Sequence, residues 1–332
     1  MNLHEWPTLM PKSISTLFSQ SPDVPALFDP ISDGAWLLIK RWTINVSLLR
    51  ELHFNPQMTI PLEDNVADII GKAQRGLRIS DSQLAEKSGV SREEINDVRS
   101  GKIDNQTIER IAPVLKLNAK ALVDLASGKW KPDKLGEFDG LAQFTTDYSG
   151  MAVNSYLVWD PTTREAAAFD TGADCKKMLA LAAKENLSVK LILLTHAHGD
   201  HIADLPGLRE ETGAHVFISG REPIAGAESI EEGKRFRIGK TDIDTRSTWG
   251  HSPGGMTYFV TGLARPIAIV GDSLFAGSMG GGNVSYADAI RNNLDKILTL
   301  PDETIICPGH GPMTSVGEEK RHNPFFAHKF RK

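Results

Sequence analysis

The stretch LILLTHAHGDHIADL, residues 191–205, constrains the fold more than any other part of the chain. Four side chains able to hold a metal, His196, His198, Asp200 and His201, fall within six positions directly after an apolar run. On an extended loop His196 and His198 project to one side and can share an ion, while Asp200 and His201 lie beyond them and point to a second position. Neither pair completes a site, because a catalytic zinc-like ion takes about three protein ligands and keeps one position open for water. The missing donors must come from elsewhere, so the chain has to fold in a way that gathers distant segments at one place.

The sequence offers such segments. VKLILL runs into Thr195 and His196, PIAIV into Gly271 and Asp272, and TIIC into Pro308, Gly309 and His310. Ends of buried strands hold side chains rigidly at one rim of a sheet, where loops collect them into a pocket. A glycine-rich turn, residues 250–255, presents one more imidazole, His251. Adding His251 to the first pair gives three donors, and adding His310 to Asp200 and His201 gives three more. Asp272, with two carboxylate oxygens, can bridge, so the donor count closes on two ions.

Around these elements, apolar runs of β type (VNSYLVW, AAAF, AHVFIS, TYFVTG) alternate with helical stretches such as CKKMLALAAKENL and YADAIRNNLDKILTL. That order describes a layered α/β domain, expected over residues 140–332. At 332 residues the chain is long enough for two domains. Residues 58–128 read as a smaller all-α domain, residues 129–139 as a polar linker, and residues 1–57 as a segment without clean periodicity or assignable role. Met58, just ahead of the patterned region, is a candidate alternative start.

Within the helical region, Ser80 with Gln83 and Ser91 with Glu94 have the spacing of capping boxes, which starts helices at 81–82 and at 92. Gly89 falls in the turn between them, and Leu84, Ala85, Val90, Ile95 and Val98 supply apolar faces. This helix-turn-helix pattern resembles the lambda-repressor and Cro class over about sixty residues, including its RSGK turn, Arg99 to Lys102. The resemblance implies DNA as a partner, with Arg92, Asn96 and Arg99 as the contacts. The charge argues otherwise: Glu93, Glu94 and Asp97 outweigh Arg92 and Arg99 on the helix that should meet phosphate. A module for homodimerisation or for packing on the second domain is the competing reading.

The ordered motifs THAHGDH, GHSPGG, GDSLF and PGHGP resemble the metallo-β-lactamase superfamily over about residues 140–326. The resemblance implies a four-layer αββα sandwich with metal ligands His196, His198, Asp200, His201, His251, Asp272 and His310. Asp272, the opening NSYLVWDPTTREAAAFDTG and the ending with Asn323, Pro324 and Phe325 are similar to hydrolases of the glyoxalase II type. The loop AGSMGGGNVSY lacks the basic residue found there in many relatives, and the chain stops six residues after Phe326, without the extension with which long glyoxalase II enzymes hold glutathione. Both departures argue against a glutathione thioester as substrate.

The expected chemistry is hydrolysis of an acyl thioester or related ester. Two divalent ions about 3.5–4 Å apart, zinc first and iron or manganese as alternatives, share a hydroxide, and Asp200 or Asp272 moves the proton. Glycines 254, 255 and 280–282 are expected to leave the rim open for substrate. One alternative is a persulfide dioxygenase of the same fold, with a single iron on His196, His251 and Asp272. Another is a DNA-binding regulator whose metal domain senses a ligand. His215, His322 and His328 stand alone and read as structural or surface residues, Cys307 as a small apolar core residue, and Thr195 and Ser252 as residues that orient loops.

Composition adds exclusions. Hydrophobic residues at 40 %, charged residues at 24 % and a net charge of −5 fit a soluble globular protein and point to no polyanionic partner. The two cysteines, Cys175 and Cys307, are too few for a disulfide framework and suit a reducing interior. The N-terminus lacks a secretory pattern, and no apolar run approaches the roughly 20 residues of a membrane span, so a cytoplasmic protein is expected.

Overall fold

A computed structural model describes residues 60–136 and 139–330. The segment 1–57 and the candidate start Met58 lie outside the described residues.

Among the described residues five helices come first: α1 (Val66–Leu77), α2 (Asp81–Ser88), α3 (Arg92–Arg99), α4 (Asn105–Val114) and α5 (Ala119–Ala126). Ser80 and Ser91 accept the N–H groups of Gln83 and Glu94, whose side chains return the bond to the cap N–H, so α2 and α3 begin where the capping pairs put them. Gly89 ends α2 in the left-handed region, at φ 65°, which a residue with a Cβ adopts only at a cost.

Two six-stranded sheets follow. The first has the order β1 (Leu141–Tyr148), β2 (Met151–Trp159), β3 (Glu165–Phe169), β4 (Ser188–Leu193), β5 (His215–Ser219) and β6 (Glu228–Ile230). The second runs from β12 (Thr314–Ser315) through β11 (Ile305–Pro308), β10 (Ile267–Gly271), β9 (Met256–Thr261) and β8 (Thr241–Ser247) to β7 (Arg235–Ile238). Their inner faces meet in one cluster that includes Tyr156, Phe169 and Leu193 from the first sheet and Tyr258, Ile269 and Cys307 from the second. The period of two explains the continuous apolar runs, because both faces of these strands are covered. In β3, Ala167 and Phe169 face this core, while Ala166 and Ala168 face α6 (Lys176–Lys184) and α8 (Leu205–Thr212) through Met178, Ala182 and Leu208.

The outer face of the second sheet carries the largest cluster. Ala268, Val270 and Ile306 pack there with Ala289 of α9 (Tyr286–Asn292), Val316 of α10 (Val316–His322) and apolar residues from all five leading helices, among them Ile69, Leu84, Ile95, Ile108 and Leu122. The layers are thus helix, sheet, sheet and helix, with α1–α5 added to the last. Residues Gln57–Lys332 form one compact unit. The stretch expected as a linker joins in this packing: Trp130 is buried, its Nε1 donates to Glu318 Oε2 at 2.8 Å, and its ring stacks on His322. Among the described residues no helix is long and apolar enough to cross a membrane.

Candidate metal centre

The donors converge where the strands end. Past β4 the chain turns through Thr195 and His196, then His198, into the short helix α7 (Gly199–Ile202), which carries Asp200 and His201. His251 comes from the turn after β8, Asp272 from the end of β10, and His310 from the turn after β11. His196, His198, His251 and Asp272 form one group, and Asp200, His201 and His310 a second, with the donor atoms of each group within 4.8 Å of one another.

Asp272 reaches both groups. Its Oδ2 is 3.3 Å from His251 Nε2 and 3.5 Å from His310 Nε2, and its Oδ1 is 3.3 Å from His201 Nε2. In the first group His198 Nδ1 lies 3.0 Å from His196 Nε2 and 3.1 Å from His251 Nε2. In the second, Asp200 Oδ2 is 3.3 Å from His310 Nε2 and 3.5 Å from His201 Nε2. A tetrahedral site with bonds of about 2.0–2.1 Å has donor-to-donor edges of roughly 3.3 Å, so these spacings suit an ion at the centre of each group.

Two of the atoms that face inward lack any partner. His201 Nε2 and Asp272 Oδ1 are buried and make no hydrogen bond. Buried polar atoms left unpaired are costly, and a cation between them would satisfy both. The outward nitrogens of His196, His201, His251 and His310, by contrast, are fixed. His201 Nδ1 meets Asp170 Oδ2 at 2.7 Å, His310 Nδ1 meets the Ala152 carbonyl at 2.6 Å, His251 Nδ1 the Gly281 carbonyl at 3.1 Å, and His196 Nδ1 the Thr195 hydroxyl at 3.0 Å. Such bonds set tautomer and ring orientation and leave the inward nitrogen free to bind a metal.

The charge balance points the same way. Burial pushes His196 and His251 down from the usual imidazole value, which favours neutral rings with a free lone pair. At His201 burial acts downward too, but Asp170 and Asp272 outweigh it and raise the group to about 10. His310 is likewise raised against burial, to about 11, by Asp200 and Asp272. Burial opposes the charge of Asp272, yet His201 and His310 hold its carboxyl well below the ordinary range. The carboxylates thus favour positive charge at His201 and His310, the kind of charge that a divalent ion would supply there.

Asp170 is a residue the sequence reading passed over. It ends β3 with a positive φ of 56°, and its carboxylate accepts both the backbone N–H and the hydroxyl of Thr195 besides facing His201. An acid directly after the apolar run AAAF repeats the pattern that marked Asp272 and could have disclosed it. Thr195 orients the histidine loop as expected, while Ser252 donates to Glu222. Cys307 is buried in the sandwich core.

The glycines differ from expectation. A Cβ on Gly280 would lie 1.8 Å from the Asp272 carbonyl oxygen, and one on Gly282 would lie 2.4 Å from Tyr286 Cα. These positions are glycine because the loop presses against its neighbours, Gly280 against the Asp272 strand end, not because the rim is empty. The candidate DNA contacts are held within the helical region. Arg92, exposed on α3, bonds to Ser82, Arg99 bonds to Gln74 and pairs with Asp81 at 2.8 Å, and Asn96 is exposed.

Residues 148–310 match the metallo-β-lactamase superfamily family model. The chain is 29 % identical over 201 residues to hydroxyacylglutathione hydrolase GloC of Haemophilus influenzae, covering 53 % of this chain and 93 % of that one. It is 33 % identical over 183 residues to the probable metallo-hydrolase YqgX of Bacillus subtilis, covering 47 % and 85 %. Among solved structures, the B3 metallo-β-lactamase BLEG-1 superposes with a TM-score of 0.50 at 30 % identity, covering 56 % of this chain and 98 % of that one. ETHE1 from Myxococcus xanthus gives 0.51 at 28 %, covering 56 % and 85 %.

Proposed function

The chain belongs to the metallo-β-lactamase superfamily, and from that premise we propose that it is a two-metal hydrolase whose substrate is an acyl thioester. The observation that carries the reading is the position of Asp272, with one carboxylate oxygen near His201 and the other near His251. His196, His198 and His251 would hold one ion, Asp200, His201 and His310 the other, and Asp272 both. When bound, two divalent ions supply Lewis-acid polarisation of a carbonyl oxygen and acidification of water toward neutral pH.

The chain's own groups have distinct parts. Asp200 and Asp272 face the space between the two donor groups, so either carboxylate is placed to take a proton from water and return it to the leaving group. Asp170 and Thr195 hold the histidine loop so that no reorganisation is needed during reaction. The likeness to a hydroxyacylglutathione hydrolase supports a thioester over a lactone or phosphodiester, although the loop at 276–286 has no basic residue to meet a glutathione carboxylate.

The likeness to ETHE1 favours a second reading, a dioxygenase with one iron on His196, His251 and Asp272. A DNA-binding regulator has less support, since Arg92 and Arg99 are engaged within the helices and Glu93 and Glu94 are exposed on α3. One experiment separates the two enzymatic readings: metal quantification with thioester, lactone and phosphodiester hydrolysis and sulfite-production assays on the wild type and Asp272→Ala. Two metals per chain, oxygen-independent thioester cleavage and a loss of at least a hundredfold in the variant are expected. Full activity in Asp272→Ala would overturn the shared role, and one iron with sulfite production would favour the dioxygenase.

A further inference from the structure

The metal centre has a neighbour from outside the family-matched residues. The chain leading into α1 runs along the turn that follows His310: a Cβ built on Gly311 would sit 3.1 Å from the backbone nitrogen of Glu63 and 3.4 Å from its Cβ. That lead-in is fastened down. Asp64 is buried, forms an ion pair with Lys72 and accepts the hydroxyl of Ser278. Lys72 Nζ also donates to the Met279 carbonyl at 2.9 Å and lies 5.0 Å from the centre of the Phe275 ring. Phe275 in turn meets the ring of His310, edge to face, at 5.7 Å.

This network decides which charge the rim presents. Asp64 and Lys72 neutralise one another, so neither is available to a ligand. Glu63 is half-buried and makes no hydrogen bond or ion pair among the described residues. Its backbone and Cβ lie against Gly311, the residue after His310, so its side chain starts next to the turn that carries a member of the second donor group. Burial raises its carboxyl from the ordinary range, and the nearby His310 pulls it back down.

We propose that Glu63 is a specificity-determining residue of the metal centre, favouring a substrate whose leaving group carries a positive charge and disfavouring an anionic one. The inference rests on the metal-site reading above. A loaded centre attracts any thiolate or carbonyl oxygen directly, so Glu63 acts on the distal substituent. Its effect appears as a ratio between ligands that share a metal-binding group and differ in distal charge. For a partly screened pair a few ångströms apart that ratio is on the order of tenfold. A glutathione leaving group, with two carboxylates and one ammonium, would be on the disfavoured side.

The test uses the full chain substituted with cobalt, titrated by visible absorption with thiocholine, 2-mercaptoethanol and 3-mercaptopropionate. The wild type is expected to prefer thiocholine, Glu63→Gln to narrow the ratio of cation to anion Kd by about tenfold, and Glu63→Lys to invert the preference. An unchanged unfolding midpoint shows that Glu63→Gln is folded. Equal ratios in the wild type and Glu63→Gln overturn the inference, as does failure of all three thiols to bind the metal-loaded protein at millimolar concentration. If the ratio responds while no thioester is cleaved, Glu63 keeps its role and the thioesterase reading falls.

Discussion

Asp170 Oδ2 stands 2.7 Å from His201 Nδ1, and the same carboxylate accepts the backbone N–H and the hydroxyl of Thr195. One buried acid thus fixes a ring in the second donor group and the start of the loop that carries the first. Replacing it with asparagine keeps the shape but removes the charge that makes His201 a strong donor. Outer partners of this kind typically contribute 10- to 100-fold in metal affinity. Asp170→Asn is therefore expected to lose the metal on Asp200, His201 and His310 first, leaving about one ion per chain after dialysis against a weak chelator. Two ions retained with unchanged affinity would remove Asp170 from the account.

Gly280 packs against the strand end that carries Asp272. A methyl group there meets the Asp272 carbonyl oxygen at 1.8 Å and His251 Nδ1 at 3.1 Å, and the first contact is with backbone that cannot swing aside. Gly280→Ala should cost about 1–3 kcal/mol through overpacking and displace both side chains. The expected result is a loss of at least tenfold in kcat, with a lowered unfolding midpoint. A variant with wild-type kinetics and stability would show that the loop relaxes freely.

Most of the candidate metal ligands were legible in the sequence because His196, Asp272 and His310 each close an apolar run, and a buried strand that ends in a histidine or aspartate has few other reasons to do so; His251 showed instead through its glycine-rich turn. Asp170 follows the same kind of run but lies before Thr171 and Gly172, where an acid is also ordinary turn chemistry, and its target is thirty-one residues away. Glu63 was illegible for a different reason. Periodicity marks Ile69, Ile70 and Ala73 as one apolar helix face, yet says nothing of which surface covers that face. The packing of α1 on the second sheet, and with it the approach of Glu63 to Gly311, is a long-range choice that no local pattern encodes.

Glu319 is fully buried, and its carboxylate accepts Thr314 Oγ1, the Gly277 N–H and Asn323 Nδ2. Burial outweighs these donors and pushes the group up to about 7 from an ordinary 4.5. Between those values the folded chain binds more protons than the unfolded one, so Glu319 makes stability fall as pH rises from about 4.5 to about 7. The contribution is full below the unfolded value and absent above the folded one, and for a rise from 4.5 to about 7 it is on the order of 3 kcal/mol. Glu319→Gln can offer its amide N–H to Thr314 and its oxygen to the other two donors. Denaturant melts at pH 5 and pH 8 should show a smaller pH difference in this variant than in the wild type. An identical pH difference would mean that Glu319 is ionised across the range.

Trp130 joins the helical region to the layers beneath it. It is 7 % exposed, bonds to Glu318 Oε2, stacks on His322 at 5.5 Å between ring centres and closes over Gly277, where an added Cβ would sit 2.6 Å from its ring. Its cluster contains residues from α1–α5 together with Ala268, Val270 and Ile306 of the second sheet, so the two regions unfold together if that shared core is their main support. Trp130→Ala removes the largest side chain at this seam and should cost about 3–5 kcal/mol. Denaturation followed by far-UV circular dichroism is expected to stay a single transition at a lower midpoint, because the remaining cluster still couples helices to sheet. Loss of the helical signal ahead of the β signal would show that α1–α5 are held by Trp130 alone. A loss below about 1 kcal/mol would show that the seam is supported elsewhere.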